Sequence, residues 1–428
     1  MNYLVIGYSL SGKSATKLLA KKGHRVFVYD DKVEILGDLP LGAIKLPQVD
    51  DQVLKVIDTC VISPGVKFSS PVMQKIKEKQ IKIIGELELG YSYIKGKLLA
   101  ITGTNGKTTA VSLLNHIIGD CALVGNVGNP ITSHIQAKKL VCEVSSFQLC
   151  SIDTFRPKIA GITYIDSDHL DYHSSTEEYI EAKYNIAKNM TKKDFLVLNA
   201  DDPISMKLAF LTKAKVYTFS TKGVCRGTFV RDGKIYFIKK YKEEYIMDVS
   251  SIKLLGEHNI ANVLLVITMA KLFGIKSKVI KQKIESFEGL QHRLQVVSKI
   301  DGVTYINDSK ATNISATKVA LNAVGEKCIL LVGGSDKGYE YDELIKDLSV
   351  KKLIVFGAVK QKLIDACSRC NYDNYLEADN LYFAVSLAKV MAIEGDTGLL
   401  SPASASFDEF INYEERGRKF EEYVKDKD

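Results

Sequence analysis

The feature that most constrains the fold is a glycine-rich loop between two regular segments. An apolar run at 97–102 predicts a buried strand, and residues 109–118 predict an amphipathic helix. Between them the chain reads Gly-Thr-Asn-Gly-Lys-Thr-Thr. Glycines let backbone N–H groups approach phosphate oxygens, and a helix N-terminus favours an anion. Lys107 adds a positive charge and the Thr108 hydroxyl can ligate magnesium, so the segment predicts a triphosphate site.

This loop is shorter than the usual phosphate-binding pattern, in which four residues separate the first glycine from Gly-Lys. Position 101 is Ile, and the nearest earlier glycine is Gly103. The alternative is an ordinary strand-to-helix turn that carries a surface lysine. The predicted strand before the loop and the predicted helix after it favour the phosphate site.

Length and composition indicate a globular protein of several domains. The 428 residues suggest about two to four domains, and 46% hydrophobic with 25% charged residues is ordinary composition. A formal charge of +7 suits a polyanionic small ligand, whereas no lysine-rich run with interleaved aromatics indicates nucleic acid. We expect a cytoplasmic protein with no signal peptide and no membrane span. The eight scattered cysteines, including Cys367 and Cys370, predict free thiols.

The first of three α/β segments, residues 1–93, opens with a predicted strand, helix and strand within about 30 residues, which indicates a parallel sheet. Its first turn, 7–12, resembles a dinucleotide-binding loop but has Ser9 at the middle glycine position. Asp30 lies where a ribose-binding acid would stand. A nucleotide diphosphate site and a purely structural unit both remain open. A later strand runs into Pro64-Gly65, at the sheet edge where ligands bind.

The other two segments continue the alternation of strands and helices. In residues 94–289 we predict strands at 122–124, 140–144, 159–165 and 195–198 and a helix at 176–190. Asp232-Gly233 predicts a β-hairpin and so a small antiparallel patch beside the main sheet. From 290 onwards, strands at 327–332, 352–356 and 397–400 alternate with helices. The whole chain is therefore predicted to be α/β.

Acidic side chains follow two strands of the second segment. Glu143 ends a predicted strand, which suits either magnesium or a solvated acid. The run 166–171 places three carboxylates and one imidazole within six residues, a cluster that favours a metal or substrate role over a polar loop. His173 is treated as part of a loop. Lys183 lies on a predicted helix, and by itself this pattern favours a solvated lysine.

Short motifs along nearly the whole chain, in their order and spacing, resemble the Mur ligases, which are ATP-dependent carboxylate–amine ligases of peptidoglycan precursor synthesis. The motifs lie at 102–109, 125–126, 143–148, 168–171, 256–262, 292–293, 307–313 and 401–406. Within the family the resemblance is greatest to members that add D-glutamate to UDP-N-acetylmuramoyl-L-alanine. It implies three domains: a Rossmann-like domain at 1–93 for the UDP substrate, a central ATPase-type domain at 94–289, and a Rossmann-like domain at 290–428 for the amino acid.

The resemblance also implies a role for individual residues. ATP would be held by Gly103, Thr104, Asn105, Gly106, Lys107, Thr108, Thr109, Asn259, Asn262, Arg293 and Asp308. The UDP substrate would contact Leu10, Ser11, Asp30, Ser63, Pro64, Gly65, Asn126, Ser145, Gln148 and His169. D-glutamate would lie among Lys310, Thr312, Lys337, Ser406 and Tyr413. Two magnesium ions would be ligated by Thr108, Glu143, His169 and a carbamate on Lys183, and the catalytic residues would be Lys107, Glu143, His169 and Lys183.

The implied reaction passes through an acyl phosphate, and we expect a monomer that closes its domains around the substrates. Three departures bear on the details: Ser9 in the first loop, Lys32 where an arginine is familiar, and Tyr413 where a phenylalanine is familiar. Another Mur ligase or a folylpolyglutamate-synthetase-like enzyme shares the central chemistry, although the latter lacks a UDP domain. A nucleotide-dependent dehydrogenase and a non-catalytic nucleotide switch remain as alternatives of other classes.

Overall fold

A computed structural model describes residues 1–166, 173 and 175–426, which form two compact units. The first unit comprises residues 1–252 and 260–287, and the second comprises 253–259 and 288–428. The helices, in chain order, are α1 Leu10–Lys21, α2 Asp51–Leu54, α3 Pro71–Glu78, α4 Glu86–Tyr93, α5 Lys107–Ile118, α6 Ser146–Leu149, α7 Thr176–Tyr184, α8 Pro203–Leu211, α9 Glu257–Phe273, α10 Ser277–Glu285, α11 Ile314–Val324, α12 Asp342–Ile345, α13 Lys360–Arg369, α14 Leu381–Met391 and α15 Tyr413–Lys425. Short 3₁₀ turns lie at Val33–Asp38, Ile131–Ser133, Asn185–Ala187 and Val249–Ser251.

The N-terminal part of the first unit is a parallel sheet of the order β3-β2-β1-β4-β5. Its strands are β1 Asn2–Ile6, β2 Arg25–Tyr29, β3 Ala43–Lys45, β4 Thr59–Ile62 and β5 Lys82–Gly85. Apolar clusters cover both of its faces, as the continuous hydrophobic runs of β1 and β4 require. Because β2 and β4 flank β1 on opposite sides, the strand order reverses beside β1, and the loops after β1 and β4 meet there.

The central sheet has the order β14-β13-β12-β11-β10-β9-β6-β8-β7. Its strands are β6 Lys97–Thr102, β7 Ala122–Gly125, β8 Lys139–Glu143, β9 Ile159–Ile162, β10 Phe195–Asn199, β11 Lys215–Ser220, β12 Gly227–Arg231, β13 Lys234–Lys239 and β14 Lys242–Asp248. The predicted phosphate loop follows β6, which pairs in parallel with both β8 and β9. The loops after these three strands therefore lie side by side at one sheet edge.

Three predicted elements of this region differ in the structure. The antiparallel strands continue the main sheet instead of lying beside it, because β12 pairs in parallel with β11. Strand β9 ends at Ile162, before the predicted 165, because the next two residues turn to bond the phosphate loop. Helix α7 ends at Tyr184 and tightens into a 3₁₀ turn, a common way to close a helix. The predicted turn at Asp232-Gly233 is confirmed, with positive φ at both residues.

The sheet of the second unit has the order β15-β16-β20-β17-β18-β19. Its strands are β15 Gln295–Ile300, β16 Val303–Asn307, β17 Cys328–Gly333, β18 Lys352–Phe356, β19 Tyr375–Glu377 and β20 Thr397–Leu400. All pairs except β15–β16 are parallel. Apolar clusters again cover both faces. The loops after β16, β17 and β20 share one edge, and helix α15 packs against β16.

Candidate functional site

The loop between β6 and α5 is built around two glycines that no other residue could replace without a shift. Gly103 and Gly106 have φ of +147° and +80°. A Cβ on Gly103 would lie 1.9 Å from Thr163 Oγ1, and one on Gly106 would lie 2.4 Å from Asn262 Oδ1. The second distance also shows that the Asn262 amide lies against the loop. Both glycines thus let the loop backbone pack closely against Thr163 and Asn262 as it turns into the N-terminus of α5.

Two lysine ammonium groups converge on one carbonyl oxygen of this loop. Lys107 Nζ donates to Gly103 O at 2.9 Å and to Thr104 O at 2.7 Å, and Lys183 Nζ donates to Gly103 O at 2.8 Å. Lys183 is only 1% exposed, so the expectation of a solvated helix lysine is wrong. Helix α7 packs in the first unit so that this side chain points at the loop. Two positive charges near one oxygen make the loop a strong anion site.

Residues after β9 hold the loop in place. Thr163 Oγ1 donates to Asn105 O at 2.7 Å, and Asn105 Nδ2 donates to the Tyr164 hydroxyl at 2.9 Å. Thr104 N donates to Tyr164 O at 2.8 Å. The Asp166 backbone N–H donates to Thr104 Oγ1 at 2.9 Å. These bonds leave the loop conformation little freedom before any ligand binds.

Two aromatic residues that were not predicted as site residues lie next to this loop: Tyr179 contacts it, and His173 packs against Tyr179. The Tyr179 hydroxyl lies 3.1 Å from Thr104 Oγ1, and Lys183 Nζ lies 4.4 Å from the Tyr179 ring centre. His173, which was expected to be loop, is buried against the Tyr179 ring edge, with Nε2 3.0 Å from Ser146 Oγ. Tyr179 and Lys183 are four residues apart on one helix, a spacing that could have revealed the pairing.

Glu143, at the end of β8, is a buried acid with one oxygen left over. Its Oε1 accepts from Asn126 Nδ2 at 2.8 Å, whereas Oε2 has no hydrogen-bond partner among the described residues. A buried carboxylate oxygen without a partner is costly unless a cation binds it, and carboxylate oxygen is the ligand that Mg²⁺ prefers. This oxygen fits a magnesium ion. Within residues 1–166, 173 and 175–426, no cluster of three or more His, Cys, Asp or Glu side chains forms a further metal site.

Part of the predicted acidic cluster lies outside the described residues. Asp168, His169 and Asp171 all fall in the range 167–172, so their predicted roles stay predictions. Ser145 and Gln148 are described, and they form a capping box at the start of α6. Gln148 is 3% exposed and its Oε1 accepts from Ser145 N at 3.0 Å. Its side chain thereby fixes the loop that follows Glu143.

The two predicted UDP-binding loops of the N-terminal sheet do meet. Ser63 Oγ donates to Gly7 O at 2.9 Å, which joins the loop after β4 to the loop after β1. Asp30 Oδ2 accepts from Tyr8 N of the first loop at 2.6 Å, and its Oδ1 accepts from Lys32 N of its own loop after β2 at 2.8 Å. Leu10 is 64% exposed at that loop, an apolar surface open to a ligand. Ser11 and Pro64 are half-buried and Gly65 is exposed.

In the second unit, the loop after β16 carries a buried carboxyl. Asp308 Oδ1 accepts from Leu294 N at 3.2 Å, and Oδ2 accepts from Ser401 Oγ at 2.9 Å. Burial raises the pKa of Asp308 to about 7, although these two bonds and the charge of Arg293 oppose the rise. Arg293 stands between two non-glycine residues of positive φ, a strain typical of functional loops. Asn259 Nδ2 donates to Leu255 O at 2.7 Å.

The residues predicted to surround D-glutamate form two contact pairs. Lys310 Nζ lies 4.9 Å from the ring centre of Tyr413, and Lys337 Nζ donates to Thr312 O at 3.3 Å. Ser406 is buried at the turn after β20, where its carbonyl accepts from Phe410 N. These residues lie on loops that share the carboxyl edge of the sheet, together with the first turn of α15.

Comparison with known families gives the class of protein. Three family models match the chain: the Mur ligase MurD-like N-terminal domain at residues 1–85, the Mur ligase middle domain at 101–270, and the Mur ligase glutamate ligase domain at 292–404. Together they cover most of its length. The chain therefore belongs to the Mur ligase family, and its fold is the three-domain α/β fold of that family.

Individual relatives narrow the likeness. The UDP-N-acetylmuramoylalanine–D-glutamate ligase of Thermoanaerobacter sp. (strain X514) is 38% identical, over 98% of this chain and 97% of its own. The enzyme of that name from Streptococcus pyogenes serotype M12 (strain MGAS2096) is 39% identical, over 97% and 95%. Among solved structures, a pseudomurein peptide ligase type C from Methanothermus fervidus has a TM-score of 0.61 at 20% identity, covering 99% of this chain and 100% of its own. This last likeness is one of fold.

In the part of the chain that the structure describes, no helix combines the length and the apolar character that crossing a membrane requires.

Proposed function

We propose that this protein joins D-glutamate to UDP-N-acetylmuramoyl-L-alanine at the expense of ATP, in peptidoglycan precursor synthesis. The observation that carries the proposal is the arrangement around Gly103: two ammonium groups on a glycine-rich loop, beside a buried carboxylate oxygen of Glu143 without a partner among the described residues. The chain that carries this arrangement aligns nearly end to end with ligases named for the reaction.

ATP is proposed to bind with its phosphates at the β6–α5 loop. The N–H groups at the start of α5 are proposed to donate to phosphate oxygens, and the left-handed Gly106 forms the turn that leads into this helix. Lys107 exchanges its two carbonyl partners for phosphate oxygens, which are better acceptors because they are charged. Asn262 lies against the loop and would contact the nucleotide. Asn259, Arg293 and Asp308 are proposed as further nucleotide contacts.

Mur ligases depend on ATP and typically need Mg²⁺. Glu143 and Thr108 are proposed to hold one magnesium ion, and His169 a second. Bound magnesium would neutralise charge that gathers on the phosphates and the reacting carboxylate. Asn126 donates to Glu143 Oε1 and so keeps Oε2 oriented for the metal.

Lys183 is proposed to react with carbon dioxide. Its neutral Nζ would bond to the carbon of CO₂ and lose a proton, so a cation becomes a carbamate anion. The buried position beside Tyr179 excludes water and holds the group close to Gly103 O. A carbon-13 signal of a carbamate, observed with labelled bicarbonate and lost in Lys183→Ala, would test this without any assay of turnover.

The proposed reaction has two parts. The γ-phosphoryl group passes from ATP to a carboxylate oxygen of the UDP substrate, which forms an acyl phosphate and releases ADP. The amine nitrogen of D-glutamate then attacks the acyl carbon, phosphate leaves with the electrons of the broken C–O bond, and the amine loses a proton. Lys107 offsets phosphate charge in the first part, and Lys310 is proposed to bind a carboxylate of D-glutamate in the second.

The remaining assignments belong to the same proposal. The domains are taken to span 1–93, 94–289 and 290–428, and the protein to be a cytoplasmic monomer. Leu10, Ser11, Asp30 and the turn 63–65 are proposed to bind the uridine diphosphate, and Asn126, Ser145, Gln148 and His169 the muramoyl part. Thr312, Lys337, Ser406 and Tyr413 are proposed to surround D-glutamate together with Lys310.

Phosphate release from MgATP tests the proposal, with UDP-N-acetylmuramoyl-L-alanine present and amino acids added one at a time. We expect release only when the UDP substrate and D-glutamate are both present. Lys107→Met should abolish release, whereas Lys97→Met, which changes an exposed lysine at the start of β6, should leave it unchanged. Release with a different amino acid would keep the ligase chemistry but overturn the D-glutamate assignment. No release with any amino acid would overturn the proposed function.

A further inference from the structure

Helix α15 carries an arginine where its neighbours are apolar. The buried stripe of this helix includes Phe420 and Val424, and Arg416 lies on the same stripe with no exposed surface. A buried guanidinium is costly unless every N–H group finds an acceptor. The hydrogen bonds of Arg416 therefore show how its buried charge is accommodated.

Five hydrogen bonds from Arg416 satisfy its N–H groups. Nε donates to Ser309 Oγ at 3.0 Å, and Nη2 donates to Ser309 O at 2.9 Å and Ser404 O at 3.0 Å. Nη1 donates to Ala405 O at 3.0 Å and, more weakly, to Gly333 O at 3.4 Å. All five acceptors are neutral oxygens. Four of them are backbone carbonyls and the fifth is the Ser309 hydroxyl, so Arg416 cross-links chain segments and none of these five bonds goes to an acid.

The acceptors belong to three segments at one edge of the sheet: the loops after β16 and β20, and Gly333 at the end of β17. Ser309 immediately precedes Lys310, and Ala405 immediately precedes Ser406. Arg416 itself stands one turn after Tyr413 on α15. One side chain thus joins the segments that carry three of the proposed D-glutamate contacts.

The turn after β20 adds a second sign that this geometry is imposed. Ala403 has φ of +57°, an unfavourable value for a residue with a Cβ, and such strain persists only where the surroundings enforce it. The next two carbonyls, of Ser404 and Ala405, both point at the guanidinium. Because the peptide unit is planar and trans, the N–H groups of Ala405 and Ser406 must point the opposite way. These two peptide dipoles therefore direct their positive N–H ends away from Arg416, and an anion is favoured on that opposite side.

We propose that Arg416 is a positioning residue for the amino-acid substrate: its guanidinium holds the loops after β16 and β20 against the end of β17, in the conformation that binds an acidic amino acid. The inference rests on the proposed function and adds to it the residue that organises the amino-acid site. Burial lowers the pKa of Arg416 to about 10, against the opposing charges of Asp408 and Glu409, so the group stays protonated at neutral pH.

Steady-state kinetics of two variants and one control test the inference. Arg416→Lys keeps the positive charge, but the single ammonium group of lysine cannot replace the planar guanidinium that bonds all three segments. Ser309→Ala removes the hydroxyl that accepts from Nε and donates to Tyr413 O, and it is a small change that we expect the fold to tolerate. Arg418→Lys makes the same chemical change at an exposed position of α15. We expect the KM for D-glutamate to rise about tenfold or more in Arg416→Lys and about threefold in Ser309→Ala, with the KM for ATP and for the UDP substrate within about twofold.

The split between constants separates positioning from folding. A purely structural arginine would lower the fraction of active enzyme, and with it kcat, while the KM for D-glutamate stayed at the wild-type value in both variants. That result would overturn the inference, as would equal rises in all three KM values or an equal effect in Arg418→Lys. If Arg416→Lys yields no folded protein, Ser309→Ala alone decides between the same two outcomes. Absence of D-glutamate turnover in the wild-type protein would instead refute the proposed function.

Discussion

Buried charged groups have different hydrogen-bond partners at the loop edge of the central sheet and at the loop edge of the second unit's sheet. At the central edge, two lysines share the carbonyl of Gly103, and Glu143 Oε2 lacks a partner among the described residues. At the other edge, Arg416 makes five hydrogen bonds and both oxygens of Asp308 accept one. A buried carboxylate oxygen such as Glu143 Oε2 is costly unless a cation binds it. We infer from this difference that the first edge contacts ligands directly, whereas Arg416 in the second edge maintains loop shape.

Lys183→Ala gives the sharpest test of this contrast, because it should cost far more in rate than in stability. Loss of the proposed metal-binding anion should lower kcat about a thousandfold. The Gly103 carbonyl keeps its bond from Lys107, so the free energy of unfolding should fall by only about 1 kcal/mol. Turnover and thermal unfolding should be measured on the same samples, with exposed Lys188→Ala as the control. Near-normal turnover by Lys183→Ala would remove Lys183 from the reaction.

Glu143→Gln should have the next largest effect. Glutamine has nearly the same shape and can still accept from Asn126 through its amide oxygen, but the negative charge is lost. We expect kcat/KM to fall about a hundredfold, with a higher Mg²⁺ concentration needed for half-maximal activity. The exposed Glu78→Gln serves as the control, and activity titrated against Mg²⁺ is the measurement. An unchanged Mg²⁺ requirement would show that Oε2 does not ligate the metal.

The sequence predicted the framework of the central edge well. The strand β6, the loop 103–106 and the helix α5 each carry a local signal: an apolar run, paired glycines, and helical spacing. The hairpin at Asp232-Gly233 is equally local. The alternation of strands and helices predicted the α/β class, and the family resemblance, which depends on many short motifs in order, implied the three domains. Such features need no knowledge of how distant elements pack.

Local sequence patterns do not predict which single charged side chains are buried, because burial depends on how helices pack. The local pattern around Lys183 favoured a solvated lysine and only the family resemblance implied a role, whereas the structure shows the side chain buried against the phosphate loop. Arg416 was not singled out at all. In both cases the charged residue shares a helical face with buried apolar side chains, Tyr179 for the first and Phe420 for the second. A lone charge on an apolar stripe is therefore a usable signal, although it does not reveal the acceptors.

Asp308→Asn tests whether the buried carboxyl of Asp308 makes the stability of the fold depend on pH. The folded-state pKa of about 7 exceeds the ordinary value, so the native protein takes up a proton that the unfolded chain releases, and stability must fall as pH rises through neutrality. Between about pH 5 and pH 8 this group should cost about 2 kcal/mol. Asparagine stays neutral and can donate to Ser401 Oγ if that hydroxyl turns to Thr317. Calorimetry across this range should show a flatter pH dependence in Asp308→Asn than in the wild type. Parallel curves would refute the assignment.

Tyr413→Phe should have the smallest effect, and it tests the one departure that lies near the proposed amino-acid site. The contact with Lys310 is made by the ring face, which phenylalanine also has, at 4.9 Å from ring centre to Nζ. Burial raises the pKa of Tyr413 to about 12, and a hydrogen bond from its hydroxyl to the neighbouring Glu414 carboxylate adds to the rise. The polar group is therefore committed to its neighbour on α15. We expect the KM for D-glutamate to change less than about threefold in Tyr413→Phe, whereas Tyr413→Leu, which removes the ring, should raise it more. A large rise of this KM in Tyr413→Phe would mean that the hydroxyl contacts the substrate. The second edge would then contain a group that binds a ligand directly, as is proposed for the groups around Gly103.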